Sequence, residues 1–227
     1  MSNILKKAFM INLPVMVAFI FLGIAYGMLM ESNGYGPIWS FFISLLTFAG
    51  AAQFAMVAFL SLQVHPLSVF FIVLVLNARH LFYGISMLKS YQSMGKTKIY
   101  LFLGLCDETF GLVNTVTISN DKNKKKTYLY ITILNHFYWV LGSTLGGLLG
   151  GLLTFEIKGL EFILTALFVS VFVSQFKKAQ RKTPAYIGLI VSIISLVIFK
   201  ENFIIPAMLM IIGLLLIDQK RLIKGKI

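Results

Sequence analysis

Apolar positions along the chain gather into eight runs, Ala8–Met30, Ile38–Leu62, Pro66–Leu88, Thr97–Ile118, Thr127–Phe155, Leu160–Phe176, Pro184–Phe199 and Phe203–Ile217. A spanning helix needs about 17–25 mostly apolar residues, and every run is within reach of that; the last three are short and the fifth is long enough to tilt or kink. Short connections separate them, punctuated by Gly34-Tyr35-Gly36-Pro37, His65-Pro66 and Thr183-Pro184. The pattern predicts an all-α, polytopic membrane helix bundle of about six to eight segments. No linker or shift in composition divides the chain and no repeat period is visible, so residues 1–227 read as a single integral membrane domain. Ala8–Met30 is too long for a signal-peptide core and no small-residue cleavage site follows it, so it reads as the first membrane helix.

Composition agrees. Of 227 residues, 58% are hydrophobic and 12% charged, with a mean hydropathy of +0.87, too apolar for a water-soluble domain of this size. The net charge of +12 would point to nucleic acid in a soluble protein. Here the cations lie in short connections, where topology and the lipid bilayer account for them, and no nucleic-acid partner is expected. The lone Cys106 excludes an internal disulfide and a multi-cysteine metal site, and neither metal nor cofactor is expected.

The positions of the cations bear on topology. If all eight runs span with the N-terminus inside, fourteen of nineteen loop and tail cations fall inside, but Lys89, Lys96 and Lys98 fall together outside, against the positive-inside bias. If Ile38–Leu62 and Thr97–Ile118 each dip into the membrane and return, the count becomes seventeen inside against Lys158 and Lys200. Each run has a place to break, at Ala49-Gly50-Ala51-Ala52-Gln53 and at Gly104-Leu105-Cys106-Asp107-Glu108. Broken segments are tolerated where they line a cavity, and paired breaks point to a transporter's binding site. The competing reading of Thr97–Ile118 is a continuous helix, because Gly104, Asp107, Glu108, Gly111, Asn114 and Thr115 would share one stripe.

The polar residues inside the runs agree in depth. Asn77 is the centre of its run and Arg79 lies just beyond; Asp107, Glu108 and Gln53 are central in theirs. A charge at mid-membrane costs about 2.5–3.5 kcal/mol on insertion scales, so such residues mark a shared site or pair to hold helices together. On a helical wheel Asn77, His80 and Gly84 share one face, and Arg79, Tyr83 and Ser86 another. A helix polar on two sides belongs between neighbours. His80 reads either as a hydrogen-bonded packing residue or as a proton carrier. Gly142, Gly146, Gly147, Gly150 and Gly151, with Gly23 and Gly27, read as close-packing surfaces, and Asn135, His136 and Trp139 as an extension of the polar path or an interface belt.

Gly50-Ala51-Ala52-Gln53-Phe54, Asn77-Ala78-Arg79-His80-Leu81-Phe82-Tyr83, Asp107-Glu108-Thr109-Phe110 and Tyr138-Trp139-Val140-Leu141-Gly142-Ser143-Thr144-Leu145-Gly146 occur in an order and spacing that resembles the AzlC-type branched-chain amino acid transporters. The resemblance runs through Leu164-Thr165-Ala166-Leu167-Phe168. It implies the large subunit of a two-component exporter of leucine, isoleucine, valine or analogues in the bacterial cytoplasmic membrane, with a small AzlD-type membrane subunit as partner; the count of cations adds the expectation that both termini lie inside. The residues fit an amino acid zwitterion. Arg79, or free backbone N–H groups from Gly50 to Gln53, could meet the carboxylate. Asp107 or Glu108 could meet the ammonium, and Asn77 belongs to the same polar group. Neighbouring carboxylates in a poor dielectric do not ionise equally, so one is expected to serve substrate and the other to exchange a proton, with His80 a further candidate for coupling. Ion-motive-force-driven export is therefore expected; the alternative is a channel-like pore with two half-membrane segments. Enzymatic activity is not expected, because no His-Glu-x-x-His spacing, phosphate loop or serine nucleophile motif occurs.

Overall fold

The computed structural model describes residues 3–61, 64–115, 121–152, 181–200 and 203–224, together with residues 162, 166, 169, 172, 173, 176 and 177. The expected segment Leu160–Phe176 lies almost wholly outside them. The elements are α1 (Asn3–Ser32), α2 (Pro37–Leu46), α3 (Gly50–Ser61), α4 (Pro66–Leu76), α5 (Ala78–Tyr91), α6 (Thr97–Leu103), α7 (Asp107–Thr115), α8 (Asp121–Leu152), α9 (Thr183–Phe199) and α10 (Ile204–Lys224), with a 3-10 turn at Gln92–Met94. No strand occurs among the described residues. They form two compact units, Met1–His65 with Leu76–Thr165, and Pro66–Val75 with Ala166–Ile227.

The expected runs do not become eight uninterrupted spans. Among the described residues α1 is long and apolar enough to cross a membrane unaided, and α4 with α5 qualifies when the broken pair counts as one span. Three breaks do the dividing. At Thr47 both the backbone N–H and the hydroxyl donate to the Ile43 carbonyl, which ends α2. At Gly104 the N–H returns to the Tyr100 carbonyl and that of Leu105 to Phe102, so the continuous polar stripe read over Thr97–Ile118 does not form. The third break, at Asn77, interrupts a run expected to be one helix. Its backbone (φ −94°, ψ 0°) leaves the helical region and its carbonyl accepts from the His80 N–H, a tight turn that a short polar side chain tolerates.

In the first unit, α1 and α8 run parallel in close contact. Asn12 donates to the Ile131 carbonyl (3.1 Å); further along, Gly23 meets Gly142 and Ser143, Gly27 meets Ser143 and Gly147, and Glu31 meets Gly150. The contact is backbone on backbone. A methyl group at Gly142 would sit 2.7 Å from the Ile20 carbonyl oxygen, and one at Gly146 would collide with that of Ile24. Without a hydrophobic drive between helices in lipid, this approach is what associates them, as the glycine spacing led one to expect. At 32 residues α8 is about 48 Å long and serves as a depth scale for the unit.

Along that scale two helical hairpins enter from opposite ends. The first starts where Pro37 packs on Gly147, reaches Trp139 with Gly50, and returns until the Ser61 hydroxyl donates to Asn33 Oδ1 (2.6 Å) beyond the end of α1. The second starts with Gly95 beside Lys125, reaches Thr132 with Gly104, and returns until Val113 joins a buried cluster with Ala8, Met94 and Tyr128. Half-helices of 10, 12, 7 and 9 residues are too short to cross. Both hairpins therefore end where they began, the geometry that balances the lysines: Lys6, Lys7, Lys89, Lys96, Lys98 and Lys124 to Lys126 share one end of the unit.

In the second unit α9 and α10 pack together, and Arg181 pairs with Asp218 (3.0 Å) on its surface. Lys182 lies over the Phe176 ring, which meets Tyr186 edge to face.

The hairpin geometry predicts sidedness. In a Cys106→Ser background, cysteines at Lys96 and Lys7 are expected to react with an impermeant thiol reagent from the same side of the membrane, and one at Tyr35 from the other. Labelling of the Lys96 position from the side opposite to Lys7 would refute the second hairpin.

Candidate functional site

Two helices begin side by side inside the first unit, α5 after the break at Asn77 and α7 after the break at Gly104. The N-terminus of a helix carries partial positive charge, which favours Asp107 and Glu108 in the first turn of α7 and disfavours Arg79 in the first turn of α5. The conflict resolves across the gap. The Arg79 guanidinium meets Asp107 Oδ2 at 2.6 Å, and one turn later on the same face of α5 the Tyr83 hydroxyl donates to Asp107 Oδ1 at 2.5 Å. Both carboxylate oxygens are thus engaged from one neighbouring helix. The Tyr83 ring stacks on Phe110, with centroids 4.4 Å apart, and His80 lies edge-on to it at 6.0 Å. Arg79 and Asp107 keep about a quarter of their side-chain surface open, 24% and 25%, so the pair is reachable rather than sealed.

At the start of α5 two polar atoms are buried without a hydrogen-bond partner among the described residues: Asn77 Oδ1, an acceptor, and Arg79 Nε, a donor. Buried polar groups in folded proteins are nearly always satisfied, and an unpaired one costs about 1–3 kcal/mol. A ligand offering both an anionic and a cationic end would satisfy the two together.

The hairpin tips converge on one face of α8, at Thr132, Asn135, His136 and Trp139, which follow the i, i+3, i+4, i+7 spacing. Asn135 Nδ2 donates to Thr109 Oγ1 (3.0 Å) on α7. His136 joins both hairpins, with Nδ1 on the Tyr100 hydroxyl (3.0 Å) and Nε2 on the Ser44 carbonyl (3.3 Å). Trp139 Nε1 donates to Gln53 Oε1 (2.8 Å), while Gln53 Nε2 donates to Ser44 (3.0 Å) across the break between α2 and α3.

The expected site residues therefore fall into two groups. Arg79 and Asp107 come together, with His80 against Tyr83, Glu108 half-buried on the first turn of α7, and Asn77 at the break that opens α5. Gln53 and Gly50 do not join them. Gln53 is 2% exposed with its amide committed to Ser44 and Trp139, and Gly50 lies under the Trp139 ring, so both hold a hairpin tip to α8. Tyr83 was recognised as sharing the face of Arg79, but its bond to Asp107 was not foreseen. Thr109 and Thr132 were missed too; the signal for the latter was the polar spacing on α8.

Comparison with known proteins places this geometry among relatives. The family described as AzlC protein matches residues 14–153. The "Branched-chain amino acid transport protein AzlC" of Bacillus subtilis strain 168 is 42% identical over 223 residues, covering 98% of this chain and 88% of that one. An "Uncharacterized membrane protein" of Haemophilus influenzae is 37% identical over 221 residues, covering 96% and 89%. The "Inner membrane protein YgaZ" of Escherichia coli K12 is 30% identical over 191 residues, covering 78% and 76%. No solved structure matches the chain.

The contacts around Asp107 predict strong coupling. Arg79→Gln and Asp107→Asn should each lower the thermal midpoint of the purified protein, and the double variant should lose less than the sum, with a coupling of roughly 1–3 kcal/mol. Tyr83→Phe should cost about 1–2 kcal/mol, the scale of one hydrogen bond to a charged acceptor. Simple additivity of Arg79→Gln and Asp107→Asn would show that the pair holds nothing together.

Proposed function

Because the chain belongs to the AzlC family, a family of membrane proteins, we propose that it is the large subunit of a secondary transporter exporting branched-chain or similar apolar amino acids across the bacterial cytoplasmic membrane. In this reading a small AzlD-type membrane subunit completes the exporter, both termini face the cytoplasm, and ion-motive force drives the cycle. The observation that carries it is that Arg79 Nε and Asn77 Oδ1 are unpartnered at the start of α5, where Arg79 makes a reachable ion pair. A substrate carboxylate takes the guanidinium edge, and the ammonium takes the Asn77 carbonyl together with the Asp107 carboxylate that Arg79 releases. The Tyr83–Phe110 stack supplies an apolar wall for the branched side chain. Binding thus exchanges an internal ion pair for two external ones and loosens α5 from α7, a differential contact of the kind that shifts a conformational equilibrium.

Asp107 has both oxygens engaged within the protein, and this leaves Glu108 as the acid assigned to proton exchange. Two half-membrane hairpins would also suit a channel, but a channel's flux neither saturates nor couples to a gradient.

Export of labelled leucine from loaded vesicles tests the reading. Arg79→Lys keeps the charge and loses the planar fork, so KM should rise roughly tenfold. Glu108→Gln should export at a rate no longer dependent on pH. Wild-type affinity in Arg79→Lys would return that residue to a structural role, undiminished pH dependence in Glu108→Gln would remove it from coupling, and non-saturating leucine flux would favour the pore.

A further inference from the structure

The last turn of α5 carries Lys89, the turn after it Lys96 and the first turn of α6 Lys98, and the start of α8 brings Lys124, Lys125 and Lys126 to the same end of the unit. Among the described residues no ion pair engages any of them. Positive-inside bias accounts for how many lysines gather here. It does not account for the cavity of about 300 Å³ between the last turn of α5 and the first turn of α6, lined by Leu88, Lys89, Tyr91, Gln92, Lys98 and Phe102. Its floor is aromatic: the Tyr91 side chain is wholly buried and its ring packs edge to face on Phe102, centroids 5.0 Å apart. Lys89, Gln92 and Lys98 are exposed around it, and among the described residues no acidic side chain lines it.

Two ammonium groups and an amide over an aromatic floor offer donors and no anionic acceptor. That combination rejects a zwitterionic amino acid, whose ammonium would find no partner, and accepts a singly charged phosphate carrying an apolar chain. We propose that this cavity binds an anionic phospholipid, with Lys89 and Lys98 flanking its phosphate, Gln92 donating to the headgroup and an acyl chain passing Leu88 and Phe102. Leu88 is 56% exposed on the outer side of α5, which provides that path. The site has a mechanical meaning. Lys89 lies about 15 Å along α5 from Arg79, and Lys98 opens the hairpin that carries Asp107. A phosphate held between the two lysines braces the base of an assembly whose inner end is closed by the Arg79–Asp107 pair.

The test reads lipid binding directly, so its outcome is independent of whether the chain exports amino acids. Purified full-length protein in mixed phosphatidylglycerol–phosphatidylcholine nanodiscs is released and its retained lipid counted by native mass spectrometry. Wild type should retain phosphatidylglycerol in preference to phosphatidylcholine. Lys89→Gln with Lys98→Gln should lower that preference by roughly tenfold or more, as two near-surface cations imply. Lys124→Gln with Lys125→Gln, outside the cavity, should retain most of it. Should the first double variant melt early, Lys98→Glu and the charge-preserving Lys89→Arg with Lys98→Arg replace it, the former expected to reject the lipid and the latter to keep it. Equal retention of both lipids by wild type, or a preference untouched by loss of Lys89 and Lys98, would overturn the proposal. Displacement of the lipid by excess inorganic phosphate would overturn it in favour of a free phosphate site.

Discussion

The contact between Arg79 and Asp107 is the constraint on which the interior of the first unit depends. A lone charge at mid-membrane carries a penalty of about 2.5–3.5 kcal/mol, and Arg79 is doubly disfavoured because it opens a helix whose positive end points the same way. Asp107 answers both problems by standing where its own helix favours an anion. Each residue offsets the cost of the other, and their contact sets the start of α5 beside the start of α7. The breaks at Asn77 and Gly104 bring this about, each placing a helix start within reach of the pair.

Around this contact α8 works as a common spine. Its glycine edge holds α1 along most of its length, and its polar edge receives both hairpin tips. These edges use different physics. The glycine edge relies on backbone proximity and leaves no slack, since a single added methyl collides with a carbonyl. The polar edge relies on a few hydrogen bonds made by Asn135, His136 and Trp139, which can be exchanged one at a time. A rigid seam beside an exchangeable one allows parts to move against a fixed frame.

Much of this was legible in the residues, and the rest was not for identifiable reasons. The breaks near Gly50 and Gly104 were readable because small residues and charges interrupt apolar runs, although the lysine count left hairpins and a continuous polar stripe as competing readings. The partners of Arg79 were narrowed to two acids because so few charges lie at that depth. The break at Asn77 was hidden, since an asparagine within an unbroken apolar run reads equally as a buried polar residue in a straight helix. Gln53 reads from the sequence as a candidate substrate contact, and in the fold its amide is committed within the protein. Its true neighbours, Ser44 and Trp139, are set by the hairpin fold and by a residue 86 positions away. The Tyr83 bond escaped for the same reason: its face was evident, but the acceptor lies 24 residues on, across a break that reverses the chain.

The parting consequence concerns how such a chain is made. The break between α2 and α3 interrupts the helical hydrogen-bond ladder, and lipid offers no partner to a backbone group freed in this way. The side chains that receive the tip of this hairpin, His136 and Trp139, belong to α8, which the ribosome reaches only much later. Until α8 exists, the Ser44 carbonyl and the Gln53 amide oxygen lack the partners they have in the finished fold. The tip of the first hairpin is thus completed by a helix made long after it, so the order in which the chain is made sets when that tip can close.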